Sequence, residues 1–196
     1  MRALLVIDVQ NDFCTGGALA VPDGEAVVPV CNRLMGEFEH IVLTQDWHPP
    51  GHASFASTHD RPPYSTLTLP YGEQVLWPDH CVQGTRGAAF HDELDTRRAR
   101  LVVRKGHSAH LDSYSAFFEN DRETPTGLGG ALRDLGVQEV VCAGLATDFC
   151  VRYSALDARR LGFQVSVVDA AVRGIDRAGS VAAAWTELTE AGVLRV

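Results

Sequence analysis

Short apolar runs alternate along the chain with segments in which apolar residues recur at three- and four-residue spacing. The runs are rich in β-branched residues and predict buried strands at 3–7, 40–44, 101–104, 140–144 and 163–168, with a short sixth strand at 193–194. The helical spacing predicts helices over 27–38, 129–135, 151–161 and 178–191. Strands alternating with helices predict an α/β fold in which a mostly parallel central sheet carries helices on both faces. We expect residues 1–196 to form a single domain.

Two long segments lack this alternation. Pro49 to Arg98 is dominated by prolines, glycines, histidines and aromatic residues, and His107 to Glu123 forms a second irregular segment. Loops of this length inside a compact domain usually serve a function. We therefore expect binding residues in the first segment, whose central stretch is Leu76–Thr85.

The composition is that of an ordinary globular protein, with 45% hydrophobic and 21% charged residues. A formal net charge of −8 without a basic run disfavours nucleic acid and anionic membranes as partners. Asp8 interrupts the first apolar run too early for an export signal, and no apolar run approaches the length of a membrane span. The five cysteines show no paired zinc motif. We expect reduced thiols and a cytoplasmic location.

Polar side chains follow four of the predicted strands at their carboxyl ends. Asp8 ends the first strand, Asp46 and His48 follow the second, Lys105 follows the third, and Cys150 follows the fourth. In open parallel sheets, ligands bind at this edge. Each residue alone has a structural explanation, but their convergence on one edge predicts a functional site there.

Cys150 is the candidate nucleophile. It lies in the predicted first turn of a helix, after Thr147 and Asp148, which are residue types that cap helix starts. Free N–H groups and the helix dipole favour a thiolate there, although on position alone a buried structural cysteine is an equal alternative. Asp8 could accept the thiol proton, with Lys105 stabilising the anions. Lys105 is the only lysine among 17 basic residues, a hint that arginine cannot replace it.

A candidate metal site lies beside these residues. Asp46 and His48 are two apart on an extended segment, so their side chains point the same way. His80 could complete a set of one carboxylate and two histidines, which leaves coordination positions open as catalytic zinc or ferrous sites do. His52 is a further candidate ligand. On spacing alone this is a weak signal.

These motifs resemble the nicotinamidase/pyrazinamidase group of the isochorismatase-like cysteine hydrolases. The strand-end Asp, the Lys-Gly pair and the Ala-Thr-Asp-x-Cys sequence identify the superfamily, whereas Asp-x-His and Trp-Pro-x-His-Cys point to its metal-containing nicotinamidases. The resemblance covers nearly the whole chain and rests on Ile7–Phe13, Asp46–Pro49, Trp77–Cys81, Lys105–Gly106, Tyr114–Ser115 and Gly144–Val151.

The resemblance implies a Rossmann-like three-layer sandwich with a metal and substrate loop region at about 46–100. It implies Asp8, Lys105 and Cys150 as the catalytic residues. It also implies an oxyanion hole formed by the N–H groups of Ala146 and Cys150, next to a cis peptide bond between Leu145 and Ala146.

The resemblance further implies a metal-dependent reaction. One divalent ion, preferably Zn²⁺ with Fe²⁺ or Mn²⁺ as alternatives, would be held by the candidate ligands Asp46, His48 and His80. A second set would line the pocket for the substrate ring, namely Phe13, Trp77 and Tyr114. The implied reaction converts nicotinamide to nicotinate and ammonia through a thioester, and extends to pyrazinamide. The implied partner is therefore a small molecule, while the identity of the metal, the part of His52 and homo-oligomer formation stay open.

Three other functions fit parts of the pattern. Another amidase of the superfamily, of the carbamoyl or ureido type, would share the catalytic set but generally lacks the metal residues. A non-haem iron oxygenase also uses two histidines and a carboxylate, but in the order His-x-Asp and on a jelly-roll fold. A non-enzymatic metal or ligand sensor on the same scaffold is disfavoured by the intact catalytic set.

Overall fold

The computed structural model describes residues 1–196 and contains eight strands and four α-helices. The strands are β1 (Arg2–Ile7), β2 (His40–Asp46), β3 (Thr66–Leu69), β4 (Gly72–Val75), β5 (Leu101–Lys105), β6 (Glu139–Leu145), β7 (Gln164–Arg173) and β8 (Leu194–Arg195). The helices are α1 (Val27–Leu34), α2 (Leu128–Asp134), α3 (Arg152–Arg160) and α4 (Ser180–Glu190). Each helix falls short of the length and apolar character needed to span a bilayer.

Six strands form one sheet in the order β5-β2-β1-β6-β7-β8, and every neighbouring pair is parallel. Counted within the sheet alone, this is the order 3-2-1-4-5-6 of doubly wound folds. The winding reverses between β1 and β6, and such a reversal opens a crevice at the carboxyl ends of the two strands. The remaining strands, β3 and β4, form a separate antiparallel hairpin.

Helices cover both faces of the sheet. Successive residues of a strand point to opposite faces, so Leu4 and Leu5 belong to different hydrophobic clusters. The cluster of Leu4 includes Val28 of α1, and the cluster of Leu5 includes Ala155 of α3 and Leu188 of α4. The predicted α/β architecture, with a mostly parallel sheet between two helical layers, is confirmed.

Two predicted elements differ from the structure by more than two residues at one end. The first helix ends at Leu34 instead of continuing to 38, because Gly36 follows and its N–H closes a tighter turn onto the carbonyl of Arg33 at 3.0 Å. The strand predicted at 163–168 continues to Arg173. The pairing of β7 with β6 shifts between Cys142 and Gly144, where β7 forms a bulge. The bulge interrupts the alternation of side chains along β7, so the second half of this strand does not resemble a strand in sequence.

Gly144 allows β1 and β6 to approach closely at the crevice. Its φ is 111°, a conformation that favours glycine, and it is paired with Ile7 of β1. A Cβ atom at this position would overlap the backbone of Ile7. The residues that follow the two strands, Asp8 and the turn leading to Cys150, are therefore brought side by side.

Candidate active site

The carboxyl edge of the sheet carries the four strand-end residues. Asp8 directly follows β1, while Asp46 and Lys105 are the last residues of β2 and β5 and are paired in the sheet register. Cys150 lies beyond β6, in a single π-helical turn at Thr147–Val151 that continues into α3. The structure thus brings together the residues whose convergence the sequence predicts.

Lys105 lies at the centre of this group and is fully buried. Its Nζ atom is 2.9 Å from Asp8 Oδ2, 2.5 Å from Asp46 Oδ1 and 3.4 Å from Cys150 Sγ, and it also donates to the carbonyl of Ser113 at 3.0 Å. Burial lowers the pKa of Lys105, but Asp46 and Asp8 outweigh it and hold the pKa well above the usual value. The lysine is therefore a fixed cation between two carboxylates and a thiol.

The Asp8 carboxylate is also fully buried, and its two oxygens differ. Oδ1 accepts a hydrogen bond from the Thr44 hydroxyl at 2.6 Å, whereas Oδ2 faces Lys105 as an ion pair without an aligned hydrogen bond. Burial raises the pKa of Asp8, and Lys105 offsets only part of this rise. Oxygen atoms of Asp8 and Asp46 and the sulfur of Cys150 lie within 4.8 Å of one another. Oδ2 is thus a base with free lone pairs beside the thiol.

The Cys150 thiol differs from the expected thiolate. Burial raises its pKa well above the usual value, Lys105 lowers it, and Asp8 raises it further. The helix-start position therefore does not produce a resting thiolate, and the thiol needs a base. Asp148 also differs from the expected cap, because its carboxylate accepts from the N–H groups of Ile175 and Asp176 instead of from its own helix.

Asp46, His48 and His80 are brought together with ligand atoms within 4.8 Å of one another, and all three are buried. Nδ1 of His48 lies 2.9 Å from the carbonyl of Gly106, and Nδ1 of His80 lies 2.8 Å from that of Pro78. A carbonyl can only accept, so each Nδ1 carries a hydrogen, and in the neutral ring each Nε2 keeps a free lone pair. The two Nε2 atoms lie 3.7 and 3.8 Å from Asp46 Oδ2.

The electrostatics of this group fit a cation. Burial would raise the pKa of Asp46, but Lys105 and His48 hold it well below its usual value. Burial lowers the pKa of His80 to about 4, and His48 adds to this effect, so its imidazole is neutral. Burial lowers the pKa of His48, but Asp46 outweighs it and raises the pKa, so a metal ion would displace the second proton of this ring. Two imidazole nitrogens and one ionised oxygen form the donor set of open divalent-metal sites. The geometry and the donor chemistry therefore support a divalent metal ion here.

His52 lies against this group without offering it a lone pair. Its ring stacks on His48 at 4.2 Å between centroids. Nδ1 accepts from the N–H of Ser54 at 3.2 Å, and Nε2 lies 3.3 Å from the carbonyl of Leu111. Atoms of His48, His52 and Asp112 also lie within 4.8 Å of one another, but both nitrogens of His52 are already engaged. Of the two groups, the set of Asp46, His48 and His80 is therefore better suited to bind a metal ion.

A mostly apolar cavity opens onto Cys150. The three residues predicted to line a ring pocket all belong to its wall, with Trp77 donating from Nε1 to the hydroxyl of Tyr114 at 3.1 Å. Asp8, Lys105 and His48 lie behind the wall. The lining residues are Phe13, Leu19, Asp46, Trp77, His80, Asp112, Tyr114, Ala146, Phe149, Cys150 and Ile175.

Several wall residues were absent from the sequence prediction. The ring of Phe149 packs edge-on against that of Trp77, with 4.8 Å between the centroids. Its position next to Cys150 is the one feature of the sequence that could have placed it at the site. Ile175 and Asp112 come from irregular segments, where no periodic pattern points to them. The peptide bond between Leu145 and Ala146 is cis, as the resemblance implies.

Comparisons with known proteins agree with this site. The family model of the isochorismatase domain matches residues 2–195. The nicotinamidase of Acinetobacter baylyi is 50% identical over 195 residues, which cover 99% of this chain and 91% of that protein. A solved nicotinamidase/pyrazinamidase of Acinetobacter baumannii is 51% identical with a TM-score of 0.98, covering 100% of this chain and 95% of that one.

A more distant solved structure is the pyrazinamidase of Pyrococcus horikoshii in complex with zinc. It is 36% identical with a TM-score of 0.82, and the match covers 100% of this chain and 98% of that one. The family model and the curated relative each extend over nearly the whole chain. The chain therefore belongs to the isochorismatase family of hydrolases.

Proposed function

We propose that this chain is a nicotinamidase that hydrolyses nicotinamide to nicotinate and ammonia and also accepts pyrazinamide. The observation that carries the proposal is a cysteine, paired with a buried carboxylate and lysine, at the floor of an aromatic cavity that also reaches a two-histidine, one-carboxylate set. The identity of 50% to a nicotinamidase supports the choice of substrate. We place the whole activity in one domain over residues 1–196.

The catalytic role of Cys150 follows from its surroundings. Asp8 takes the thiol proton through its free Oδ2, and Lys105 stabilises the anions that result. The sulfur then forms a bond to the carboxamide carbon. As the tetrahedral centre collapses, the C–N bond breaks and Asp8 returns the proton to the leaving ammonia. Water next adds to the thioester and gives a proton to Asp8. The C–S bond then breaks, Asp8 passes this proton to the sulfur, and the thiol is restored with nicotinate as product.

The oxyanion of the tetrahedral centre needs donors on the same wall. Ala146 lies at the cavity, and its N–H donates to no other protein group. Together with the N–H of Cys150, within the helical turn, it would hold the developing negative charge. Such fixed donors require no reorganisation during the reaction.

We place the substrate ring between the aromatic residues Phe13, Trp77 and Tyr114, which line the cavity. Asp46, His48 and His80 would hold one divalent ion, for which Zn²⁺ is our proposal on the strength of the zinc-bound relative. When bound, the ion supplies a Lewis-acid contact for the pyridine nitrogen. The side chains on this wall orient the ring and exclude water, so that the carboxamide carbon meets Cys150.

Ammonia release is the decisive measurement. The purified chain, loaded with Zn²⁺, is offered nicotinamide beside pyrazinamide, benzamide, a carbamoyl amide and a ureido compound. We expect the highest kcat/KM with nicotinamide. A preference for the carbamoyl or ureido compound would assign the chain to the other amidases of the family, and release from no amide would contradict an amidase function.

A further inference from the structure

The hairpin of β3 and β4 places one side chain behind the cavity wall. Gln74 of β4 is fully buried, although its neighbours Gly72 and Glu73 are exposed. Burying an amide is costly unless its polar atoms are paired, so its contacts identify its role. Nε2 lies 2.8 Å from Asp112 Oδ2 and 3.1 Å from the hydroxyl of Tyr114. Both partners line the cavity.

The orientation of the Gln74 amide follows from its other contacts. Oε1 accepts from the side-chain amide of Asn120 at 3.3 Å and from the hydroxyl of Tyr71 at 3.2 Å. Nε2 also lies 2.7 Å from the carbonyl of Val75, which can only accept. Gln74 therefore presents its hydrogens, not its oxygen, to the cavity wall.

Tyr114 is the longest contact of the Gln74 amide. The two Nε2 hydrogens serve the carbonyl of Val75 at 2.7 Å and Asp112 Oδ2 at 2.8 Å, so the hydroxyl of Tyr114 at 3.1 Å shares one of them. The indole of Trp77 donates to the same hydroxyl at 3.1 Å. Trp77 and Gln74 together fix the position of this hydroxyl on the cavity wall.

Gln74 also fixes the Asp112 carboxylate. Oδ2 accepts from Gln74, while Oδ1 accepts from the N–H of Ser113 at 2.9 Å and lies 4.0 Å from Nε2 of His48. The carboxylate is thus held with one oxygen toward the proposed metal ligands. At 4.0 Å this oxygen makes no hydrogen bond to His48, so it acts on the metal ligands through its negative charge, which favours a bound cation.

We propose that Gln74 is a positioning residue for substrate binding, which holds Tyr114 and Asp112 in place on the ring side of the cavity. The proposal rests on the nicotinamidase function proposed above. Gln74 touches none of Asp8, Lys105 and Cys150, so its loss affects binding more than the chemical step. The hairpin is then a structural support of the binding wall.

The test replaces Gln74 by methionine, which keeps its length and removes its donors. For Gln74→Met we expect KM for nicotinamide to rise about tenfold with kcat within threefold of the parent. We expect the affinity for Zn²⁺, measured by competition with a chromophoric chelator, to fall about fivefold. The matched control is Glu73→Leu, on the exposed face of the same strand, which should leave both quantities unchanged.

A double-mutant cycle separates positioning from general structural support. In a Tyr114→Phe, Asp112→Asn background, Gln74→Met should change KM by less than twofold, because its partners are already lost. An additive effect would overturn the proposal, as would a fall in kcat without a rise in KM, or values of KM and Zn²⁺ affinity within twofold of the parent. If Gln74→Met fails to fold, Gln74→Glu provides the same test, since it keeps the shape and sets an acceptor against Asp112.

The two proposals can fail separately. If the parent chain releases no ammonia from nicotinamide, the proposed function is wrong. The Gln74 proposal is then decided without any substrate, by Zn²⁺ affinity alone. It is measured for the parent, for Gln74→Met, for Asp112→Asn and for the variant that combines these two changes. Equal affinities for the parent and Gln74→Met in that series would overturn it.

Discussion

The two sides of the cavity are held in place by different means. On the nucleophile side, Asp8, Lys105 and Cys150 stand at or just beyond the ends of strands in one parallel sheet. On the ring side, Trp77 and Tyr114 come from irregular segments, and side-chain hydrogen bonds tie them together. Backbone pairing positions the first group, whereas polar side chains such as Gln74 position the second.

This difference predicts different responses to substitution. A change on the nucleophile side acts on groups that lie within 3.4 Å of the buried Lys105 ammonium, so it affects the chemical step directly. A change on the ring side leaves these groups in place and alters how the substrate is held. We therefore expect losses in kcat on the first side and increases in KM on the second.

The largest effect is expected for Cys150→Ala. Without the sulfur no thioester forms, and we expect ammonia release from nicotinamide to fall at least about 10⁴-fold while Zn²⁺ affinity is unchanged. Cys31→Ala is the matched control, because Cys31 is equally buried but belongs to α1. Turnover by Cys150→Ala near the parent rate would show that the nucleophile is another group.

Lys105→Arg should be nearly as damaging as Lys105→Ala, with losses in kcat on the order of a hundredfold. The lysine is fully buried and has four partners within 3.4 Å, a space that suits a compact ammonium. A guanidinium keeps the charge but is broad and planar, so it would displace Asp8. Arg104→Lys, one residue away and exposed, is the control. Near-parental activity of Lys105→Arg would mean that charge alone suffices, and folding is checked by thermal melting.

The same contrast explains how much the sequence could predict. Asp8, Lys105 and Cys150 each follow an apolar run, and a parallel sheet aligns the ends of its strands, so their convergence could be expected. Asp112 and Gln74 meet only because the β3–β4 hairpin folds against the irregular segment that carries Asp112. The two residues are far apart in sequence and belong to no repeating pattern of polar and apolar positions, so the sequence does not indicate the contact.

A weaker signal for the hairpin was present. Thr66–Leu69 alternates polar and apolar residues, and in the structure its burial alternates in the same way. The strand is short and lies within a stretch rich in proline and glycine, which concealed it. The thiolate expected at Cys150 has a different limit, because burial raises the pKa of the thiol and is not visible in a local motif.

Removal of the metal tests the ring side as a whole. If the ion acts mainly by orienting the pyridine ring, chelation should reduce turnover of nicotinamide at least about tenfold more than turnover of benzamide, which has no ring nitrogen. The measurement is ammonia release from both amides before and after chelation, with Zn²⁺ added back as control. Equal losses for the two substrates would mean that the ion serves the chemical step. The assignment of catalysis to the nucleophile side and of substrate binding to the ring side would then be wrong.

The smallest effect is expected at Asp148, which connects the two sides. It lies two residues before Cys150, and its buried carboxylate accepts from the N–H groups of Ile175 at 3.0 Å and Asp176 at 2.9 Å and from the Ser180 hydroxyl at 2.5 Å. Ile175 in turn lines the cavity. Asp148 thus couples the turn of the nucleophile to a wall of the binding cavity.

Asp148→Asn keeps the shape of the side chain but turns one oxygen into a donor that faces other donors. We expect the free energy of unfolding to fall by about 1–3 kcal/mol, which lowers the melting temperature by about 2–4 °C per kcal/mol in a chain of this size. The displaced Ile175 should raise KM about threefold with kcat within twofold of the parent. Ser180→Ala, which removes one of the three hydrogen bonds, should destabilise the fold less and leave KM unchanged. A loss in kcat larger than the rise in KM would place Asp148 with the nucleophile side, because it would then act through the turn that carries Cys150 and not through the cavity wall.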